Sequence, residues 1–388
     1  MKEGWDIRKL GSLCSVNRDS GIHSNMPYVG MENIGSGTGL LVSYGDNSAV
    51  IGTTNLFHER DVLYGKLRPY LKKVVVAESS GCCSTEIIPI TCSENLYPEY
   101  LKYWFLEDAV TDKINATCGG CRMPRANMKD VFLFEVPTPS VCEQQRIVDI
   151  LDKEFAKIDE LKSNAEQNLQ NAKDLFQAAL KKELEPKSGW KTATIAEIAE
   201  IKGGKRVPQG YKLTKENTNH PYIRVSDFND SGSVDLTDIH YISEEVYQGI
   251  KRYTISQKDV YLSIAGTIGK SGIVPVELEG ANLTENACKL VLREGMFNQF
   301  VYYFTTSEGF KEQINKLTMQ AAQPKLALTR LATVDIAFPS LQEQQSIVSK
   351  LDDLNAKCKV LQDNYTKTIA LCDDLKQSLL RKAFNGEL

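Results

Sequence analysis

The segment PSVCEQQRIVDILD at residues 139–152 returns as PSLQEQQSIVSKLD at residues 339–352, with nine of fourteen positions identical at an offset of 200. A repeat of this kind constrains the fold before any local propensity does, because two copies of one unit must bury equivalent faces. The copies stay in step at that offset from Tyr103 and Tyr303, through Ile114 and Ile314, Pro124 and Pro324, to Leu180 and Leu380. Upstream the offset shrinks. Glu86 in STE matches Glu285 in LTE at 199, DVLY from Asp61 matches DVYL from Asp259 at 198, Tyr28 matches Tyr222 at 194, and Trp5 matches Trp190 at 185. Each half therefore has a variable front and a strict back.

The strict backs open with a helix signal. Ser140 with Glu143, and Ser340 with Glu343, are S-x-x-E capping boxes placed after a proline that cannot sit inside a helix. Beyond them, positions 347, 351, 354, 358, 361, 365, 368, 372, 375 and 379 alternate steps of four and three and carry Ile347, Leu351, Leu354, Cys358, Leu361, Tyr365, Thr368, Cys372, Leu375 and Leu379. The first copy reads Ile147, Leu151, Glu154, Ile158, Leu161, Ala165, Asn168, Ala172, Leu175 and Ala179. Both stripes predict a coiled-coil seam, with the two helices packed on each other or each on a separate partner. About forty residues at ~1.5 Å each make a rod of roughly 60 Å, longer than a compact core needs, so it is expected to act as a spacer.

The chain ends join the same pattern. Running Leu388 into Met1 gives GELMKEGW, close to the internal junction ELEPKSGW that ends at Trp190. The sequence is pseudo-cyclic, which predicts two halves related by an approximate two-fold axis with antiparallel helices. The fronts predict mixed α/β modules: short β-rich runs such as DVLYGKL and VVVAE, then a helical stretch PEYLKYWFLEDAVTDKI, mirrored by NQFVYYFTTSEGFKEQINKL.

With 388 residues, 42% hydrophobic and 25% charged, the chain can bury at least two cores. No run approaches the ~18 apolar residues needed to cross a bilayer, and no signal peptide opens the chain, so a cytoplasmic protein is expected, with no membrane partner. Ten scattered cysteines read as reduced thiols. Cys118 and Cys121 in CGGC have no second CxxC at zinc-finger distance, so no metal is expected; Cys358 and Cys372 read as core. SIAGTIGKSG resembles a phosphate loop, but Ile264 stands where the first glycine is required. No catalytic motif is found, and His23, His58, His220 and His240 form no constellation, so no catalytic residue is expected.

Paired modules held tens of ångströms apart suit two half-sites on duplex DNA, where one turn spans ~34 Å. The net charge of −4 weighs mildly against this, but distribution matters more than the sum. Residues 201–215, IKGGKRVPQGYKLTK, carry Lys202, Lys205, Arg206, Lys212 and Lys215 with no acid. RDVLYGKLRPYLKK offers Arg60, Lys66, Arg68, Lys72 and Lys73 with two tyrosines, and Arg122, Arg125 and Lys129 are partly mirrored by Lys325 and Arg330. Lys270 aligns with Lys72 on a loop expected to face the ligand. Lys and Arg serve both phosphate neutralisation and guanine readout; a solvated surface loop is the plainer reading of any one such cluster.

These residues resemble the specificity subunit of type I restriction-modification systems. The resemblance is carried by the twin EQQxIV helix starts, by YVGMENI, DVLYGKLRPYLKKV and CSTE in the first half, and by DVYLSIAGTIGKSGIV and AQPKLA in the second. It implies an α+β fold in which two pseudo-two-fold-related target-recognition domains, residues 1–140 and 188–340, are separated by two long antiparallel helices forming a coiled coil, the spacers 141–187 and 341–388. It implies a non-catalytic subunit whose two domains each read half of a bipartite double-stranded DNA target, while the helices set the half-site spacing and dock two methyltransferase subunits, with restriction or translocase subunits joining where they exist. S-adenosylmethionine, ATP and magnesium would belong to those partners, with no cofactor on this chain. By position, the DNA-facing set is Lys66, Arg68, Lys72, Arg125, Lys205, Arg206, Lys270 and Lys325; the spacer and partner-binding set is Ile147, Leu151, Ile158, Leu175, Ile347, Leu351, Leu361 and Leu375. The alternatives are a scaffold that uses the coiled coil to assemble other proteins without binding DNA, and an enzyme with an unfamiliar site. Glu86 with Glu285 and Asp61 with Asp259, carboxylates matched between the variable fronts, are what would support the latter.

Overall fold

The structure, a computed structural model, describes residues 4–23, 25–45, 52–119, 122–318 and 325–388. The chain divides into two compact units, residues 1–167 with 365–388, and residues 168–364. Each draws on both long helices, Val141–Glu183 and Leu341–Asn385.

In the first unit the helix-bearing base carries a two-stranded ribbon, Asp6–Lys9 antiparallel to Glu135–Thr138. Above the ribbon in chain order come two four-stranded sheets. One orders Cys14–Val16, Ile87–Cys92, Val62–Gly65 and Val74–Val76; the other orders Ser20–Gly21, Thr54–Phe57, Gly81–Ser84 and Tyr28–Val29. Gly81–Ser84 passes into Ile87–Cys92 through the two-residue turn Thr85–Glu86, which therefore links the sheets. The core runs from Leu10, Val62 and Ile90 through Tyr100, Trp104 and Phe105 to Ile147, Leu151, Leu380 and Phe384. Tyr64 stacks on Phe105 at 4.4 Å.

The second unit repeats this plan. Lys191–Thr194 pairs with Asp335–Phe338; Ala199–Gly203, Ala287–Leu292, Val260–Ser263 and Ser271–Gly272 form a four-stranded sheet; His240–Tyr241, Pro221–Ile223 and Asn282–Leu283 form a three-stranded one. Its base core gathers Leu180, Ile195, Phe300, Val301, Ile336, Ile347 and Leu351. The expected α+β class, mixed modules on long helices, holds in each unit.

The repeated EQQ motif has a physical reason. Ser140 Oγ accepts the Glu143 N–H at 3.3 Å, and Ser340 Oγ accepts the Glu343 N–H at 3.4 Å, so one arm of each capping box is made. The first glutamine of the motif, Gln144 or Gln344, is fully buried in both copies. Gln144 Oε1 accepts the Tyr97 N–H at 2.8 Å, and its amide donates to the Asn95 and Pro139 carbonyls, each at 2.9 Å. Gln344 does the same with the Phe297 N–H and the Gly295 and Pro339 carbonyls. A side-chain amide thus satisfies the backbone of the chain segment that enters the preceding helix and fixes the long helix to its module. Tyr103 donates to Asp152, and Tyr303 to Asp352, in the matching place.

The helical stretch expected over residues 98–114 is two helices, Pro98–Leu106 and Asp108–Ala116, broken at an extended Glu107; Asn298–Thr306 and Glu308–Thr318 break likewise at Ser307. In the first unit Gln377 from the second long helix takes up the freed groups. Its amide donates to the Leu106 carbonyl at 3.2 Å, and its oxygen accepts the Asp108 N–H at 2.9 Å. The same helix pairs Lys376 with Asp159 and Asp373 with Lys162, and Arg146 donates to the Leu388 carbonyl. Rising numbers on one helix meet falling numbers on the other, so the pairing in this unit is antiparallel.

The heptad seam holds at Ile147, Leu151, Ile158, Ile347, Leu351 and Cys358, all buried, and again at Ala165, Ala172 and Cys372. It fails at Leu175, Leu361 and Leu375, and at Leu161, which are 40–51% exposed. Partial burial falls instead on the next residue, 162, 176, 362 and 376. The step after 158 or 358 is therefore four, not three: the seven-residue repeat is kept, and one row of the seam is shifted by one residue.

Candidate nucleic-acid interface

In the first unit the cations gather where two chain segments run side by side. The Ala126 N–H donates to the Lys66 carbonyl at 2.9 Å, the Arg68 N–H donates to the Pro124 carbonyl at 2.8 Å, and Leu67 pairs with Arg125 between them. The Lys66 N–H donates to the Glu86 carbonyl at 2.9 Å, which places this pair of segments against the turn that links the sheets. Arg68 and Lys72 flank the short helix Pro69–Leu71, and both have left-handed backbone, φ 52° and 48°. Such conformations are costly for non-glycine residues and persist where the surrounding structure over-determines them. Lys66, Arg68 and Arg125 are therefore brought together. Lys72 points elsewhere: its ammonium donates to the Leu106 carbonyl at 3.0 Å and pairs with Asp108, leaving the side chain 14% exposed.

The second unit builds the equivalent turn, Glu285–Asn286, differently. The Ile264 N–H donates to the Asn286 carbonyl at 2.8 Å, Leu326 N–H donates to the Ile264 carbonyl at 2.9 Å, and Ala265 pairs with Lys325. Lys325 thus takes the place of Arg125. Lys205 and Arg206 reach the same turn from the glycine-rich segment after Ala199–Gly203. The Gly204 N–H donates to the Ala287 carbonyl and the Lys205 N–H to the Leu283 carbonyl, at 3.0 and 2.8 Å. Gly204 is required by this approach, because a Cβ there would stand 2.1 Å from the Thr284 carbonyl oxygen. Lys270 is not at this turn. Its ammonium pairs with Asp230 at 3.0 Å and lies 3.4 Å from the Phe228 carbonyl.

Strand register corrects two alignments. Tyr28 lies opposite Cys82 and Tyr222 opposite Asn282, so the offset at these strands is already 200. Glu86 therefore corresponds to Asn286, and Glu285 to Thr85: the two glutamates occupy adjacent positions of one turn. In the same way Gly65 N–H donates to the Lys73 carbonyl and Ser263 N–H to the Lys270 carbonyl, so Lys270 corresponds to Lys73, not Lys72. Lys73 donates to the Met31 carbonyl, a tether of the same kind as Lys270 to Phe228.

Both glutamates hold an arginine. Arg125 forks onto Glu86, with Nε to the two carboxylate oxygens at 3.1 and 3.0 Å and Nη2 to Oε1 at 2.9 Å. Arg206 Nε donates to Glu285 Oε1 at 2.8 Å. Burial works against the Glu285 charge, but its own backbone N–H, the Thr284 hydroxyl and Arg206 together hold its carboxyl below the ordinary value. The other matched carboxylates are structural. Asp61 accepts the His58 N–H and the Thr91 hydroxyl, and Asp259 accepts the Ser256 N–H and Lys289.

The basic segment 201–215 is largely paired with acids: Lys202 with Glu200 at 2.8 Å, and Lys215 with Asp238 at 2.7 Å. Lys215 and Arg224 hold the Asp238 carboxyl down at about 2. Exposed pairs of this kind contribute little to stability, so their cations can be exchanged onto phosphate at small cost. A cleft of about 380 Å³ adds Arg252 and Tyr253 beside Lys202, Gly203 and Gly204, and Lys205 lies 6.0 Å from the Tyr253 ring. Nothing in the sequence marks Arg252, which joins the cluster only by folding. The CGGC and AQPKLA motifs lie partly outside the described residues.

The family model for the type I restriction modification DNA specificity domain matches residues 2–171 and 187–369. The chain is 27% identical over 299 residues to the type I restriction enzyme EcoBI specificity subunit of Escherichia coli, covering 71% of this chain and 63% of that protein, so it spans less than two thirds of that relative's length. It is 22% identical to the EcoKI specificity subunit of Escherichia coli strain K12, covering all of this chain and 90% of that one. Its fold matches a chain solved in a study of complex assembly and conformational transition of the type I R-M system, with TM-score 0.85 at 22% identity over 100% of this chain and 99% of the other. It also matches the HsdS subunit of Thermoanaerobacter tengcongensis, with TM-score 0.62 at 22% identity, over 100% and 98%. The chain belongs to the type I restriction modification DNA specificity family.

Proposed function

We propose that this chain is the non-catalytic DNA reader of a type I modification complex, in which each unit contacts one half of a bipartite duplex target. The carrying observation is that each unit gathers cations at the equivalent sheet-linking turn: Lys66, Arg68 and Arg125 around Thr85–Glu86, and Lys205, Arg206 and Lys325 around Glu285–Asn286. Lys72 and Lys270 lie away from these turns, where they tether other loops through the Leu106 and Phe228 carbonyls. Arg252 extends the second surface.

The long helices set the half-site spacing and dock methyltransferase subunits. Support comes from Leu161 with Leu361 and Leu175 with Leu375, exposed apolar residues at repeat-matched positions, joined on the second helix by exposed Val360 and Leu371. The buried positions Ile147, Leu151, Ile158, Ile347 and Leu351 hold the spacer together. S-adenosylmethionine, ATP and magnesium belong to the methyltransferase and restriction partners. A scaffold without DNA contact is disfavoured by the family match.

The test is sequencing for methylated adenine in a host with and without this gene. Loss of one two-part motif on deletion supports the proposal; an unchanged methylome overturns it. For the purified complex, each phosphate-neutralising cation removed should lower the salt slope of DNA binding by about one.

A further inference from the structure

The two glutamate–arginine pairs carry more than surface electrostatics. A lone exposed ion pair is worth little, and the turns could have been left unpaired. Instead each unit has built one pair at the same turn from different materials. Glu86 stands at the second turn position and takes Arg125 from the segment ahead of the short helix Met128–Val131; Glu285 stands at the first position and takes Arg206 from the segment after Ala199–Gly203. Adjacent side chains in a tight turn leave it on different sides, so the one-residue displacement explains why the arginines arrive from different parts of the chain. The pairing has been kept while its residues have not.

The geometry leaves each guanidinium a working end. Among the described residues, Arg125 uses its Nε–Nη2 edge on Glu86 and keeps Nη1, with the side chain 45% exposed. Arg206 uses only Nε on Glu285 and keeps both terminal nitrogens, with the side chain 79% exposed. Two outward N–H groups of one guanidinium match the O6 and N7 acceptors of guanine in the major groove. A free arginine would lose its rotamer freedom on making that contact; one already held by a carboxylate loses less, and the carboxylate's charge is covered when phosphates come near.

We infer that Glu86 and Glu285 are positioning residues for base readout, each orienting an arginine, Arg125 or Arg206, that reads a guanine in the half-site of its own unit. The inference rests on the proposed DNA-reading role.

The experiment uses the full chain with its methyltransferase partner in a host, with the methylated motif read separately for each half. The variants are Glu86→Gln, Arg125→Ala, Glu285→Gln and Arg206→Ala. Glu86→Gln and Arg125→Ala should relax the same single guanine position in one half, by about tenfold or more, and leave the other half unchanged. Glu285→Gln and Arg206→Ala should do so in the other half. A Glu→Gln variant that keeps wild-type discrimination while its arginine variant loses it overturns the positioning role, as does relaxation at different positions. Should Glu86→Gln lose assembly, Glu86→Asp, which keeps the charge but withdraws it by one methylene, decides: relaxation supports the inference and wild-type readout overturns it. A wild-type chain that directs no methylation fails the DNA-reading proposal instead, and is distinguishable because it does so before any variant is made.

Discussion

The helix start and the sheet-linking turn lie in the same repeat, yet the two copies treat them differently. At the helix start Gln144 and Gln344 make the same three hydrogen bonds to the same backbone groups, within 0.1 Å of each other. At the turn the glutamates sit one residue apart and take arginines from different segments. Where a side chain satisfies buried backbone, its replacement leaves orphaned donors and acceptors, so the sequence is held. Where it meets solvent, the geometry can be rebuilt without stranding buried groups, and under the proposed DNA-reading role a change there alters what is bound rather than whether the unit folds.

That contrast can be broken first at the glutamines. Gln144→Leu and Gln344→Leu each strand one N–H and two carbonyls, and should each lower the unfolding free energy of their unit by about 3 kcal/mol in denaturant titrations. A large difference between the two would show that the junctions are not equivalent. Gly204→Ala forces a Cβ against the Thr284 carbonyl, and should cost about 2 kcal/mol while weakening only the half-site contacted by the second unit, read by binding to half-altered duplexes. Tyr103→Phe and Tyr303→Phe remove matched hydrogen bonds to Asp152 and Asp352, and should each cost about 1 kcal/mol. The smallest effect is at acid pH. Glu285 titrates below its ordinary value, so the stability it lends is present above about pH 4.3 and is lost as pH falls through the depressed value. Glu285→Gln should flatten that part of the stability profile.

How much of this the sequence discloses follows from the same contrast. The helix starts, the long helices and the mixed modules are legible, because a capping serine, a proline and apolar periodicity act within a few residues of one another. The seam is legible until one of its rows shifts by a residue: Leu361 and Leu375 fit a heptad, and only the packed helix shows that the next residue is partly covered. The cation clusters are legible as composition, but Lys72 and Lys73 are neighbours of like charge, and only the hairpin register shows that Lys73 corresponds to Lys270. Glu86 and Glu285 each close a Thr-Glu pair, and only strand pairing displaces them by one. Arg252 is 46 residues from Arg206, and no local pattern joins them.

The central claim is that each variable module reads its own half-target while the repeated framework is interchangeable. It is tested most directly by a chimaera in which residues 188–340 are replaced by a second copy of residues 1–140, expressed with the methyltransferase partner and followed by sequencing of methylated adenine. An interrupted palindrome, with the half-site of the first module present twice in inverted orientation, is the predicted result. Retention of the original two-part motif, or a motif matching neither half, would contradict it.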